Sequence, residues 1–280
     1  MFLELFEEDG VRALCYPSLV INNPTIEKLW LLFYSLLLNA GLASEDPKTG
    51  RKRVSDKRIF ETIHWMIKTG CQWRDLPKGF PSKSTCFLRL KEWRDAGLFE
   101  ALLAQAQELI PDEQSVGAID ASFVRARCGG DGIGVTRIGK GSCLQVICTL
   151  NSLPFHVLVY PAGPAEARVA EEWIEQEGLE LPDLLLGDAA YDTNRLRKFT
   201  GERGCELITT NNYGKRAESL DPPSLRSVAK GLRWVVERFF AWLGGFRRVV
   251  TRYDKNLKNY SKTVALAIAS IIVKQTEEAF

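Results

Sequence analysis

Three carboxylates fall at places where an acid is awkward unless it does chemistry. Asp188 follows the apolar run Leu184-Leu185-Leu186-Gly187, Asp120 lies inside Val116-Gly117-Ala118-Ile119-Asp120-Ala121-Ser122-Phe123-Val124, and Glu237 lies within the run from Leu232 to Leu243. Three leucines ending in Gly-Asp suit a central strand whose last side chain enters the crevice at the carboxyl edge of an open sheet. Taken alone, Asp188 is equally well explained as the cap of the helix that follows. Asp120 is harder to dismiss, because aspartate is disfavoured within a strand and its burial needs compensation. Two buried carboxylates at close range repel, so one is protonated or a cation binds between them. All-oxygen ligands select Mg²⁺ or Mn²⁺, and two such ions roughly 3.5 to 4 Å apart can activate an attacking oxygen and stabilise a leaving one in phosphodiester chemistry.

The third acid comes from a helix. Leu232, Val235, Val236, Phe239 and Leu243 make a core stripe, and Arg233, Glu237, Ala241 and Gly244 line an adjacent one. Glu237 is thus held beside a packed face. The plainer alternative is a surface Arg233–Glu237 pair, worth only a few tenths of a kcal/mol.

The pattern from residue 113 onward supplies elements that would bring these acids together. A strand over 116–124 is followed by a hairpin, 144–150 and 155–160, turning at Asn151-Ser152-Leu153-Pro154. A helix over 165–176, the strand ending at Asp188, a helix over 193–203, a strand over 205–210, an irregular linker over 211–225 and the Glu237 helix complete the order β-β-β-α-β-α-β-α. That order describes an RNase H-like α/β domain in which the first and fourth strands are neighbours, which places Asp120 beside Asp188. His156 alternates with apolar neighbours in the hairpin and reads as structural.

Residues 1–112 have a different grammar. Helical spacing runs over 25–38, from Ser55 to Gly70, from about Ser82 to Phe99, and over 98–109, ending at Pro111-Asp112. We therefore expect a helical domain over 1–112 and a catalytic domain over 113–280. The second and third helices, with Lys83, Arg89, Lys91 and Arg94 on the latter, suit a helix-turn-helix DNA reader, although helical hairpins also occur without DNA. His64 reads as an interior histidine. The basic stretch from Asp46 to Arg53 suits either a solvated linker or a loop lying along phosphates.

Composition narrows the class. The 280 residues carry 37 Lys and Arg against 35 acids, a net charge of +2, so any nucleic-acid surface must come from local clustering. The seven cysteines are scattered without a C-x-x-C pair, and only two histidines are present, which argues against zinc and for reduced thiols in a cytoplasmic protein. The apolar runs 29–38 and 264–273 are well short of the ~20 residues of a membrane helix, and the acidic start is unlike a signal peptide. The glycine-rich segment from Cys128 to Ser142 contains Gly134 to Lys140, a partial phosphate-binding loop, but Gly141 replaces the required Ser or Thr and a strand follows where a helix is needed. A flexible loop presenting Arg125, Arg127, Arg137 and Lys140 to phosphates fits the segment better.

Several motifs together resemble a known family. Gly70-Cys71-Gln72-Trp73-Arg74-Asp75-Leu76-Pro77, Asp120 with Val124-Arg125-Ala126, and Asp188-Ala189-Ala190-Tyr191-Asp192 are similar to signatures of the bacterial insertion-sequence DDE transposases, the insertion-sequence-five-like group. Val236-Glu237-Arg238-Phe239-Phe240-Ala241-Trp242-Leu243, with Phe246-Arg247-Arg248 and Thr251-Arg252-Tyr253-Asp254-Lys255, resembles the signature around that family's catalytic glutamate. The likeness runs from about Lys48 to the C-terminal helix. It implies a catalytic triad of Asp120, Asp188 and Glu237 binding two Mg²⁺ or Mn²⁺ ions, strand cleavage at the inverted repeats of a mobile element, and transfer to target DNA by direct transesterification. It further implies that Arg233, Arg238, Arg247, Arg248 and Arg252, with Arg125 and Lys140, hold double-stranded DNA, and that the protein works as a homodimer or larger synapse. Two departures stand out: Lys230 occurs where the family often has Tyr, and Gly244 where it often has a phosphate-holding Lys. They motivate one alternative, a repurposed relative that binds DNA as a regulator without cutting it. Another is a metal-dependent nuclease without strand transfer.

Overall fold

A computed structural model describes residues 23–44, 52–111, 115–210, 227, 229–231 and 233–277. The acidic start, most of the basic loop, Asp112 at the expected boundary and the linker 211–225 lie outside the described residues.

Local signals explain the first helices. Helix α1 (Pro24–Asn39) starts on the Asn23 side chain, which accepts from the Ile26 N–H, with proline in the first turn where no N–H is missed. Helix α2 (Asp56–Thr69) is capped by Ser55 and ended by Gly70 at φ 72°, a left-handed conformation that suits glycine. Helix α3 (Lys83–Asp95) is capped by Ser82, and α4 (Leu98–Gln107) follows directly. Residues 70–82, including a short 3₁₀ turn Trp73–Asp75, separate α2 from α3. That connection is longer than the three- or four-residue turn of a helix-turn-helix. Trp30, Phe33, Phe60, Trp93 and Phe99 interlock, with the Phe33 and Phe60 ring centres 4.7 Å apart.

Strands β1 (Val116–Ala126), β2 (Gly134–Thr136), β3 (Gly139–Thr149), β4 (Pro154–Pro161), β5 (Leu184–Gly187), β6 (Glu206–Thr209) and β7 (Thr251–Arg252) form one mixed sheet. Its order is β2-β3-β1-β5-β6, with β4 also on β3 and β7 on β1. β1 runs antiparallel to β3 and parallel to β5, so the first strand and the strand leading to Asp188 are adjacent as expected. The glycine-rich segment is not a loose loop: it holds β2 and the start of β3, which also removes the nucleotide-loop reading. β7 has no counterpart in the sequence expectation.

Helices cover both faces. Strand alternation sends Ala118, Val146, Leu186 and Ile208 into one core with Val235, Val236 and Phe239 of α7 (Trp234–Gly244). Ile119, Ile147, Leu185 and Leu207 enter a second core with Ala167, Ala170 and Trp173 of α5 (Glu166–Glu177) and Leu196 of α6 (Asn194–Gly201). After the short α8 (Arg247–Val250), α9 (Leu257–Glu277) buries its apolar run in the first core together with α1 and α4. The N-terminal helices and the sheet therefore share one apolar core. No described helix is long and apolar enough to cross a membrane.

Candidate active site

Asp120 is carried by β1 opposite Val146, and Asp188 is the first residue past β5. Alternation from the Ala118↔Leu186 pair places both acids on the face covered by α7. Asp120, Asp188, Ile119, Gly187 and Arg233 line one cleft of about 20 Å³, closed by Val236 and Ala229. That space suits a single water or a bare ion.

Each aspartate is held by one oxygen. Asp120 Oδ1 accepts the Ala121 N–H at 2.8 Å, and Asp188 Oδ1 accepts the Ala190 N–H at 2.7 Å. Asp188 thus does cap the 3₁₀ turn Ala189–Tyr191, while α6 is capped by Thr193. Capping occupies Oδ1 alone, so it does not by itself exclude a second role for this carboxylate. Asp192 is buried and ion-paired to Arg197 at 3.0 Å, a structural role.

Burial pushes the Asp120 carboxyl up to about 6; the Ala121 N–H opposes this, the Asp188 charge adds to it, Arg233 opposes it and Glu237 adds to it. The three acids and one arginine therefore share an electrostatic neighbourhood. Glu237 is nonetheless outside the cleft lining, 60% exposed, and paired to Arg233 at 3.4 Å. Among the described residues, no three acids, histidines or cysteines are gathered closely enough to hold a metal ion. The donor chemistry of Asp120 and Asp188 suits a hard divalent cation, which would relieve the repulsion between them.

A fourth acid escaped the sequence reading. Glu166, the first residue of α5, is half-buried and pushed up to about 7 by burial and by the charges of Asp188 and Asp120, with Tyr191 opposing. Gln145 Nε2 donates to the Tyr191 hydroxyl at 3.0 Å and to the Glu166 carbonyl at 3.2 Å, tying this acid to the sheet. An acid in a first helical turn is so common that nothing in the sequence marked it.

The expected DNA-contacting cations separate into two groups. Arg125, Lys140, Arg233 and Arg247 are exposed, and Arg248 is half-buried with Nη1 donating to the Cys71 carbonyl at 3.4 Å. Arg238 lies between the rings of Trp234 and Trp242 and donates to Ser152 Oγ at 2.8 Å. Arg252 must be withdrawn from the DNA surface. Its side chain is fully buried and donates to Gly132 O, Ser142 Oγ, Asp131 O, Asp254 O and Lys255 O, pinning the glycine-rich segment to the C-terminal strand. Arg89 and Arg94 are also committed internally, to Asp56 at 3.1 Å and Asp254 at 3.5 Å, which leaves Lys83 and Lys91 as the exposed cations of α3. His64 is buried, 3.0 Å from Ser270 Oγ, and burial pushes its pKa down to about 4. His156 contacts the Glu180 carbonyl at 2.8 Å. Neither histidine lines the cleft.

A mixed sheet with helices on both faces, with Asp120 on β1 and Asp188 just past the adjacent parallel β5, is the arrangement of an RNase H-like α/β domain. Residues 111–272 match the family model "Transposase DDE domain", and residues 27–103 match "Putative transposase of IS4/5 family (DUF4096)". The chain belongs to the DDE transposase family and is an insertion-sequence transposase. It is 35% identical over 116 residues to the "Insertion element IS402 uncharacterized 16.2 kDa protein" of Burkholderia cepacia, covering 39% of this chain and 78% of that protein. It is 31% identical over 77 residues to the "Putative transposase for insertion sequence element IS402" of the same organism, covering 28% and 32%. Among solved structures, the piggyBac transposase synaptic complex with hairpin DNA shares the fold at a TM-score of 0.54, with 10% identity over 94% of this chain and 74% of that one.

Proposed function

We propose that Asp120, Asp188 and Glu237 form the catalytic centre, binding divalent cations, Mg²⁺ foremost and Mn²⁺ as substitute, in two adjacent positions. The observation that carries this reading is the shared cleft of Asp120, Asp188 and Arg233, with Glu237 one helical turn from Arg233. The bound ions would supply an activated oxygen nucleophile and charge compensation for the leaving oxygen. Asp120 and Asp188 keep rigid positions through their backbone N–H partners. Glu237 would complete the ligand set once its exposed pair with Arg233 opens, which would leave the Arg233 guanidinium available to a DNA phosphate. Arg125, Lys140, Arg238, Arg247 and Arg248 hold the strand by phosphate contacts that position without reading sequence.

The reaction is hydrolysis at the end of the element, which exposes a 3′-OH, followed by attack of that hydroxyl on a target phosphodiester. The substrates are the terminal inverted repeats and target DNA, brought together by a homodimer or larger synaptic assembly. The helical N-terminal region contributes to end recognition. The test incubates the protein with Mg²⁺ and labelled DNA carrying the inverted repeats that flank its gene. Strand-transfer products that vanish with Asp188→Ala support the reading, and products undiminished by that change overturn it.

A further inference from the structure

The β2–β3 hairpin carries a combination the catalytic reading does not use. Past the Arg125↔Gly141 pair, β3 leaves β1 and pairs only with β2, so residues 134–141 project as a two-stranded arm from the carboxyl end of β1. The arm bares two β-branched apolar side chains, Val135 within β2 at 70% exposure and Ile138 at the turn at 60%. Exposed Arg125, Arg137 and Lys140 surround them, while the neighbouring acid Asp131 is paired to Arg252.

The arm is built to hold its shape. A Cβ on Gly134 would lie 1.4 Å from the Ala162 carbonyl oxygen and one on Gly141 2.2 Å from that of Val124, so the base packs backbone against backbone. Arg252 grips the root through Ser142 Oγ and the Gly132 carbonyl. At the tip, Arg125 Nη2 donates to the Ile138 carbonyl at 3.1 Å and Thr136 Oγ1 to the Gly139 carbonyl at 3.0 Å. Apolar tips on a rigid arm ringed by cations complement a duplex: cations meet phosphates, and apolar side chains enter a groove and part a base step.

Register relates the arm to the catalytic cleft. Asp120 pairs with Val146, and alternation along β3 returns Lys140 and its partner Val135 to the same face. Six residues of strand span about 20 Å, which matches roughly six base pairs of duplex. We propose that the β2–β3 arm is a DNA wedge, inserting Val135 and Ile138 at a base step about half a helical turn from the reacting phosphate while Arg137 and Lys140 grip the flanking backbone. The spacing rests on the assignment of Asp120 to the catalytic centre.

The test uses the full chain in EDTA, which prevents cleavage, with duplexes carrying the gene's flanking inverted repeat and 2-aminopurine at successive positions. One position roughly six base pairs from the phosphate later cleaved in Mg²⁺ brightens on binding, as expected for an unstacked step. Val135→Ser with Ile138→Ser removes at least about half of that signal while Kd rises less than about threefold, since both side chains are exposed and their loss leaves the fold intact. Arg137→Gln with Lys140→Gln weakens binding about tenfold and lowers the salt slope by about two. No brightening with the wild type, or brightening that survives the double serine variant, overturns the wedge. Cleavage that persists in Asp188→Ala overturns the catalytic assignment instead, and the fluorescence then decides the wedge alone.

Discussion

Removing the Asp120 charge should stabilise the metal-free protein while abolishing its activity. The Asp120 carboxyl is raised from an ordinary 3.8 to about 6, with burial the largest cause. As pH rises, the unfolded chain ionises this acid first and the folded chain resists until about 6, so the destabilisation grows across that window and is constant above it. About two pH units correspond to ~3 kcal/mol. Solvent screening of this half-buried group reduces that to ~1.5 kcal/mol. Asp120→Asn should therefore raise the Tm at pH 7.5 by about 3 °C in EDTA. The gain should disappear near pH 3.8. Added Mg²⁺ should stabilise the wild type by mass action and leave the variant unchanged. Thermal melts at two pH values, with and without Mg²⁺, measure all of this. An Asp120→Asn variant less stable than wild type at pH 7.5, or equally stabilised by Mg²⁺, would refute the reasoning.

Three further outcomes follow from the same structure. Arg252→Met should cost about 3 kcal/mol in urea unfolding, because it removes the hydrogen bonds of a fully buried guanidinium and strands the buried Ser142 hydroxyl, and Arg252→Lys should recover only part of that loss. Asp188→Asn should retain the turn cap and lose strand transfer by at least about a thousandfold, whereas Asp188→Ala should lose the same activity plus about 1 kcal/mol of stability; equal stability of the two variants would contradict the capping geometry. Glu166→Gln should stabilise the metal-free protein above pH 7 and have no effect below 4.5, since this carboxyl is raised from 4.5 to about 7; pH-dependent melts measure the difference.

Much of the fold could be read from local chemistry. Ser55, Ser82 and Gly70 bound their helices because each satisfies or accommodates a helix end that backbone geometry leaves open. The β1–β5 adjacency followed from element order, since connection rules leave few arrangements for such a sequence. What escaped depends on partners distant along the chain. Arg252 looks like any basic residue after Arg247-Arg248, and its burial follows from acceptors at residues 131–142 that no local pattern links to it. Arg89 and Arg94 were similarly spent on Asp56 and Asp254, so counting cations on α3 overstated its surface charge. β2 and β7 are too short, and β2 too rich in glycine, to show alternation. The approach of Asp120 to Asp188 was readable, and so was the surface Arg233–Glu237 pair, because residues four apart on one helix face are neighbours.

The most direct test of the three-carboxylate centre is a calorimetric titration of the DNA-bound protein with Mn²⁺, comparing wild type with Asp120→Asn, Asp188→Asn and Glu237→Gln. Two ions per active site are expected in the wild type, with loss of at least one in each variant despite intact DNA binding. Wild-type stoichiometry and affinity in all three variants would contradict the three-carboxylate centre.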